Sequence, residues 1–134
     1  MDPRSPFRIL VVEDEPVIRE LVRSMLDDGP VEVETAGSGP EGLRRAKESR
    51  FDLVLLDVVL PGMDGLTVCR MLKADPSTAS VPLYMLTAKT RRADLEAALA
   101  AGANGYIHKP FRGSELMELV ERLRTGEAGA PGAG

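Results

Sequence analysis

The order of apolar segments along this chain predicts an α/β fold, a parallel sheet with helices packed on both faces. Three observations lead there. Short runs rich in Val, Ile and Leu alternate five times with longer segments whose apolar residues recur every three or four positions. Three of the runs are apolar almost throughout, which suits strands covered on both sides. The chain has 134 residues, room for one domain and not for two.

Residues 7–12 (FRILVV) form the first run and read as a strand. Pro16 follows, where the first turn of a helix tolerates a missing N–H. Ile18, Leu21, Val22 and Met25 then recur at helical spacing, with Val17 and Leu26 flanking the stripe, until Asp27-Asp28-Gly29-Pro30 stops the helix. Residues 31–35 (VEVET) alternate, which predicts a strand with one wet face near a sheet edge. Ser38 and Glu41 stand at capping-box spacing and open a helix to about residue 49. Residues 51–56 (FDLVLL), apolar but for Asp52, make the third strand. Pro61-Gly62 is a turn, and Asp64 caps a helix that runs to about residue 73. After a loop at 75–78, residues 81–86 form a buried fourth strand. An alanine-rich helix covers 92–101 and stops at Gly102, and residues 105–108 are a short fifth strand. Leu116, Leu119, Val120 and Leu123 share one face of a last helix over 114–123, with Met117 off the stripe.

The apolar runs at 7–12, 51–56 and 81–86 belong in the centre of the sheet, and 31–35 and 105–108 belong at its edges. That is the flavodoxin-like order 2-1-3-4-5, a doubly wound (βα)5 parallel sheet. Residues 7–124 form the domain. Residues 125–134, rich in Gly, Ala and Pro without periodicity, read as a flexible tail or the start of a linker.

Composition narrows the function. Hydrophobic residues at 43% and charged residues at 28% exclude wholesale disorder. A net charge of −4 argues against direct nucleic-acid binding and against an anionic membrane as partner. The single cysteine, Cys69, excludes an internal disulfide and a Cys-rich zinc site, and reads as a core residue of the third helix. A reducing, cytoplasmic setting fits, since no run approaches a membrane span and residues 1–7 lack the apolar stretch of a signal peptide.

In an open α/β sheet, ligands bind beyond the carboxyl ends of the strands. There stand Glu13, Asp14 and Glu15 after the first strand, Asp57 after the third, Thr87 and Ala88 after the fourth, and Lys109-Pro110 after the fifth. Crowded carboxylates repel, and one takes up a proton unless a cation intervenes. Oxygen donors with few protein ligands suit Mg²⁺ over Ca²⁺. A metal, a carboxylate nucleophile, a lysine and a hydroxyl are what phosphoryl transfer to an aspartate requires. Each residue alone has a plainer explanation. The acidic triplet suits a helix start ahead of Pro16, Asp57 a turn, Thr87 a strand end and Tyr106 a half-buried edge. Convergence from four strand ends favours the site, leaving Glu15 as a cap and His108, the one histidine, as an exposed side chain.

Four motifs carry a resemblance: Val11-Val12-Glu13-Asp14-Glu15, Leu55-Leu56-Asp57-Val58-Val59-Leu60-Pro61-Gly62-Met63-Asp64-Gly65, Met85-Leu86-Thr87-Ala88, and Ala101-Gly102-Ala103-Asn104-Gly105-Tyr106-Ile107-His108-Lys109-Pro110-Phe111. Together, in order and each at a predicted strand end, they resemble the response-regulator receiver family, the phosphoaspartate domains of two-component signalling, over residues 7–124. The resemblance implies Asp57 as phosphoacceptor. It implies Asp14 as a direct Mg²⁺ ligand, Glu13 acting through a metal-bound water, and Asp57 with the Val59 backbone carbonyl completing the protein ligands. It implies Thr87 as switch hydroxyl, Tyr106 as the aromatic partner that turns inward with it, Lys109 as the phosphoryl-binding lysine, and a cis bond before Pro110. Glu13 stands where aspartate is the commoner family choice, and its longer arm still reaches a metal-bound water.

The implied function is a signalling switch and not an enzyme acting on other substrates. A sensor histidine kinase or phosphotransfer protein supplies the phosphoryl group, and the domain takes part in its own phosphorylation and in its autodephosphorylation. Between the two, the face of the fourth helix, fifth strand and fifth helix repacks for a downstream effector protein, an effector domain or a second copy in a homodimer. Val59 and Lys89 stand two residues after Asp57 and Thr87, beside the hydrolytic water's path in this family, and neither helps that water, so slow phosphoryl loss is expected. A haloacid-dehalogenase-type phosphatase is disfavoured because Val59 occupies the place of its second aspartate. A receiver that has lost phosphorylation lacks an acid, the acceptor or the lysine, and this chain keeps all three.

Overall fold

The strands β1 (Phe7–Val12), β2 (Val31–Ala36), β3 (Leu53–Asp57), β4 (Leu83–Thr87) and β5 (Gly105–His108) pair in parallel in the order β2-β1-β3-β4-β5. They alternate with α1 (Pro16–Leu26), α2 (Gly39–Glu48), α3 (Gly65–Ala74), α4 (Arg92–Ala100) and α5 (Gly113–Thr125). This computed structural model describes residues 6–88 and 91–126. The expected flavodoxin-like topology is the one observed.

Side chains alternate across a strand, so the central strands feed two cores. Leu10, Val12, Val54, Leu56, Leu83 and Met85 meet Leu43 of α2, Val68 and Leu72 of α3 and Ala98 of α4 on one face. Ile9, Val11, Leu53, Leu55, Tyr84 and Leu86 meet Val22 and Leu26 of α1 and Leu116, Leu119 and Val120 of α5 on the other. Every residue of β3 and β4 is buried, whereas β2 exposes Glu32 and β5 exposes Tyr106 and His108, as edge strands do. Each fully buried Leu or Ile contributes roughly 1.5–3 kcal/mol.

Several elements depart from the sequence expectation for identifiable reasons. β3 starts at Leu53, because the Asp52 side chain accepts from Arg8 N at 2.9 Å in place of a ladder bond. β4 starts after Pro82, which has no N–H to give, although its carbonyl accepts from Val54 N at 2.9 Å. Both strands run one residue further than expected, so Asp57 and Thr87 end them. In α1, Leu26 is core and Leu21 is exposed. The core-facing stripe is Val22 and Leu26, buried, with Ile18 and Met25 partly buried beside them, contiguous on a 3.6-residue helix, and Leu21 falls outside it.

Helix ends follow local chemistry. Ser38 Oγ accepts from Glu41 N at 3.3 Å, while the Glu41 carboxylate reaches past the cap to Gly37 N at 2.9 Å. Asp64 caps α3 through Thr67 N at 2.8 Å. α5 continues two residues past its apolar stripe to Thr125, and Gly126, at φ +81°, closes it in the left-handed conformation that favours glycine. The rest of the tail or linker reading, residues 127–134, lies outside the described residues. Cys69 is wholly buried. No described helix is long and apolar enough to cross a membrane.

Candidate functional site

Parallel pairing brings the carboxyl ends of all five strands to one edge of the sheet. Val12 of β1 pairs with Leu56 of β3, so Glu13 and Asp57 follow side by side. Asp57 pairs with Leu86 of β4, which puts Thr87 one step beyond it. Thr87 pairs with His108 of β5, and Lys109 N donates to Thr87 O at 2.7 Å. The Lys109–Pro110 bond is cis, as expected.

From there the Lys109 side chain reaches back over the sheet edge. Its Nζ lies 2.6 Å from Glu13 Oε1 and 3.0 Å from Asp57 Oδ2. Glu13 is 0% exposed and Asp57 6%, so neither carboxylate is free to trade these bonds for water. Asp57 Oδ1 accepts from Val59 N at 3.0 Å, and Glu13 Oε2 accepts from Glu15 N at a longer 3.4 Å. Gly65 permits the close approach behind Asp57: a Cβ there would stand 2.0 Å from Asp57 O.

Two carboxylates share one ammonium, which leaves a surplus negative charge. Burial, reinforced by the hydrogen bond with Asp57, pushes the Glu13 carboxyl from 4.5 up to about 7, with Lys109 opposing. Burial pulls Lys109 down, but its bonds to Glu13 and Asp57 outweigh that and raise it overall. The buried Glu13 carboxyl therefore relieves the surplus by holding a proton to higher pH than an ordinary carboxyl.

A divalent cation would resolve the same surplus. Carboxylate oxygens of Glu13, Asp14 and Asp57 lie within 4.8 Å of one another, with Asp14 on the accessible side. The donors are all hard oxygens with no Cys or His among them, which fits Mg²⁺. The residues present therefore suit the ion that the resemblance implies.

Glu13, Asp14, Asp57 and Lys109 thus come together, with Thr87, buried at 2% exposed, on the adjoining strand end. Val59 adjoins through its N–H, its side chain exposed. Tyr106 stands apart on the outer strand, 40% exposed. Lys89 lies outside the described residues. The apolar pattern gave no sign of one further participant, Arg19, whose Nη1 donates to Glu13 O at 2.8 Å and Asp14 O at 3.1 Å. Its only sequence signal is a basic residue one turn after Glu15, on a helix whose side chains slant back toward its N-terminus.

The profile described as "Response regulator receiver domain" matches residues 9–121. "DNA-binding response regulator MtrA" of Mycolicibacterium smegmatis is 45% identical over 121 residues, which are 90% of this chain and 52% of that protein. The chain spans about half the length of the first curated relatives it matches. Among solved structures, the Vibrio cholerae chemotaxis protein CheY4 aligns with a TM-score of 0.83 at 33% identity, covering 89% of this chain and 99% of that one. The receiver domain of the sensor histidine kinase PA1611 from Pseudomonas aeruginosa, solved with magnesium coordinated in its active-site cleft, aligns with a TM-score of 0.81 at 34% identity, covering 89% and 98%.

Proposed function

The chain belongs to the response-regulator receiver family of two-component signalling, and on that premise we propose that Asp57 is the residue that accepts the phosphoryl group. The observation that carries the proposal is the double hydrogen bond of Lys109 Nζ to Glu13 and Asp57. It holds a buried carboxylate at the open edge of the sheet with a cation beside it, ready for a group that brings negative charge.

In this reading an Asp57 carboxylate oxygen attacks the phosphorus of a phosphohistidine on a sensor histidine kinase or phosphotransfer protein. The O–P bond forms as the P–N bond breaks, and the imidazole leaves with the electron pair. Glu13, Asp14 and Asp57, with the Val59 carbonyl, would hold Mg²⁺, which when bound supplies positive charge for the transferring oxygens. Lys109 then donates to a phosphoryl oxygen, and the Thr87 hydroxyl donates to another. Water later attacks the phosphorus and restores the carboxylate. The domain acts on its own aspartate alone, as a switch.

Residues 7–124 act as the switch domain, with its last helix continuing to Thr125, and the residues beyond Gly126 act as tail or linker, in a cytoplasmic setting. Thr87 moves toward the phosphoryl group, Tyr106 follows inward, and the face of α4, β5 and α5 repacks. That face serves an effector domain, a separate effector protein or a second copy. With a net charge of −4 the domain itself makes no direct nucleic-acid contact.

The test is incubation with acetyl phosphate and Mg²⁺ followed by mass spectrometry. The wild type is expected to gain one phosphoryl adduct and the near-isosteric Asp57→Asn to gain none while keeping its fold. An adduct on Asp57→Asn, or none on the wild type, overturns the assignment.

A further inference from the structure

Glu15, at the N-cap of α1, makes no side-chain capping bond. The segment that carries Glu13 and Asp14 is thus not anchored in the usual way. On its strand side, Glu13 N donates to Ala36 O at 3.0 Å. On its helix side the anchor is Arg19. That side chain folds back over the start of α1, and its Nη1 donates to the carbonyls of both Glu13 and Asp14, at 2.8 and 3.1 Å. The peptide units on either side of Asp14 are therefore fixed by one guanidinium. This matters because the Asp14 carboxylate has no hydrogen bond to protein among the described residues, so backbone alone aims it.

The neighbouring loop makes room for the contact. A Cβ at Gly37 would stand 3.1 Å from Arg19 Nη1, closer than ordinary packing allows without a shift. Gly37 is itself held, its N–H donating to Glu41 Oε1 at 2.9 Å. Arg19 thus sits between the acidic segment and the loop leading into α2.

We propose that Arg19 is a positioning residue for the divalent cation, orienting Asp14 and Glu13 by holding their backbone carbonyls. The proposal rests on reading Glu13, Asp14 and Asp57 as the metal site. Two effects of Arg19 oppose each other. Its charge repels a cation nearby, and its hydrogen bonds pre-organise the ligands. Both of its hydrogen bonds go to carbonyl oxygens rather than to the carboxylates, and the residue is only partly buried, so its charge is reached by water and salt. Pre-organisation is the larger effect, and outer groups that orient metal ligands commonly alter affinity by tenfold or more.

The experiment is an Mg²⁺ titration of the wild type, Arg19→Met and Arg19→Lys, followed by the amide shifts of residues 13, 14 and 57–59. Thermal unfolding in chelator checks the fold of each variant. Arg19→Met is expected to weaken Mg²⁺ binding on the order of tenfold. The Mg²⁺ concentration for half-maximal labelling by acetyl phosphate should move with it, while labelling at saturating Mg²⁺ stays near wild type. Arg19→Lys should recover part of the affinity. Should Arg19→Met not fold, Arg19→Lys and Gly37→Ala, which crowds Nη1, carry the same titration and are expected to weaken binding. Unchanged affinity in variants that fold overturns the proposal. Tighter binding in Arg19→Met also overturns it, by showing that Arg19 acts only as a like charge. A wild type whose amides ignore Mg²⁺ overturns the metal-site reading itself.

Discussion

Lys109 and Glu13 stand 96 positions apart in the chain and 2.6 Å apart in space, Nζ to Oε1. The bond joins the end of an edge strand to the end of a central one, passing over β4 and β3, and it encloses Asp57 from the side. Losing the lysine would leave two buried carboxylates facing each other. Lys109→Met is expected to destabilise the protein by about 3 kcal/mol at pH 8, and by less at pH 5, where Glu13 holds a proton. Urea unfolding at the two pH values measures this, and an equal loss at both would refute the coupling.

The wild type should itself lose stability with rising pH. Glu13 is pushed from 4.5 to about 7 in the fold, so between those values the folded state binds more proton than the unfolded one. Stability then falls as pH rises through that window, and the full penalty is present above pH 7. A cation that replaces the proton should reverse the trend, so Mg²⁺ should raise the melting temperature more at pH 8 than at pH 5.5. Melting in chelator and in Mg²⁺ across this range checks both signs. A melting temperature in chelator that climbs from pH 5 to 7 would contradict the burial argument.

The chain has two tyrosines and no tryptophan. Tyr84 is 8% exposed and Tyr106 is 40% exposed, so a soluble quencher of tyrosine emission reports mainly on Tyr106. Beryllofluoride, standing in for the phosphoryl group, is expected to reduce quenching as Tyr106 turns inward after Thr87. Quenching that does not change would mean this receiver switches without that ring.

Val59 is 58% exposed beside Asp57 and offers no side-chain hydrogen bond to orient an attacking water. Val59→Asn keeps the backbone N–H that holds Asp57 Oδ1 and adds a polar group at the entrance. It is expected to shorten the phosphoryl lifetime several-fold, as positioning a reactant does. A phosphate-release time course at fixed Mg²⁺ decides. Equal or slower decay in the variant would show that solvent access or another group sets the lifetime.

Strands β1 and β5 were legible residue for residue, because apolar runs bounded by Pro and Gly mark them locally. The late starts of β3 and β4 were not. They depend on a side chain, Asp52, that takes a backbone donor from another strand, and on a proline that lacks one. The swapped roles of Leu21 and Leu26 have a similar origin. Spacing defines a helical stripe, but its centre is set by how the helix rolls against the sheet.

The sequence alone determined which chemical groups meet. Alternating elements force a parallel sheet, a parallel sheet gathers its strand ends at one edge, and the residues written there are Glu13, Asp14, Asp57, Thr87 and Lys109. How those groups share charge, and which residues support them, depends on contacts that form only in the folded protein. Strand register sets the distances that give Lys109 to both Glu13 and Asp57, bury Glu13 so that its carboxyl is pushed up, keep Tyr106 outside and bring Arg19 under the acidic segment. Hydrogen bonds and ion pairs act over a few ångströms, and distances that short between residues far apart in the chain exist only after the sheet has formed.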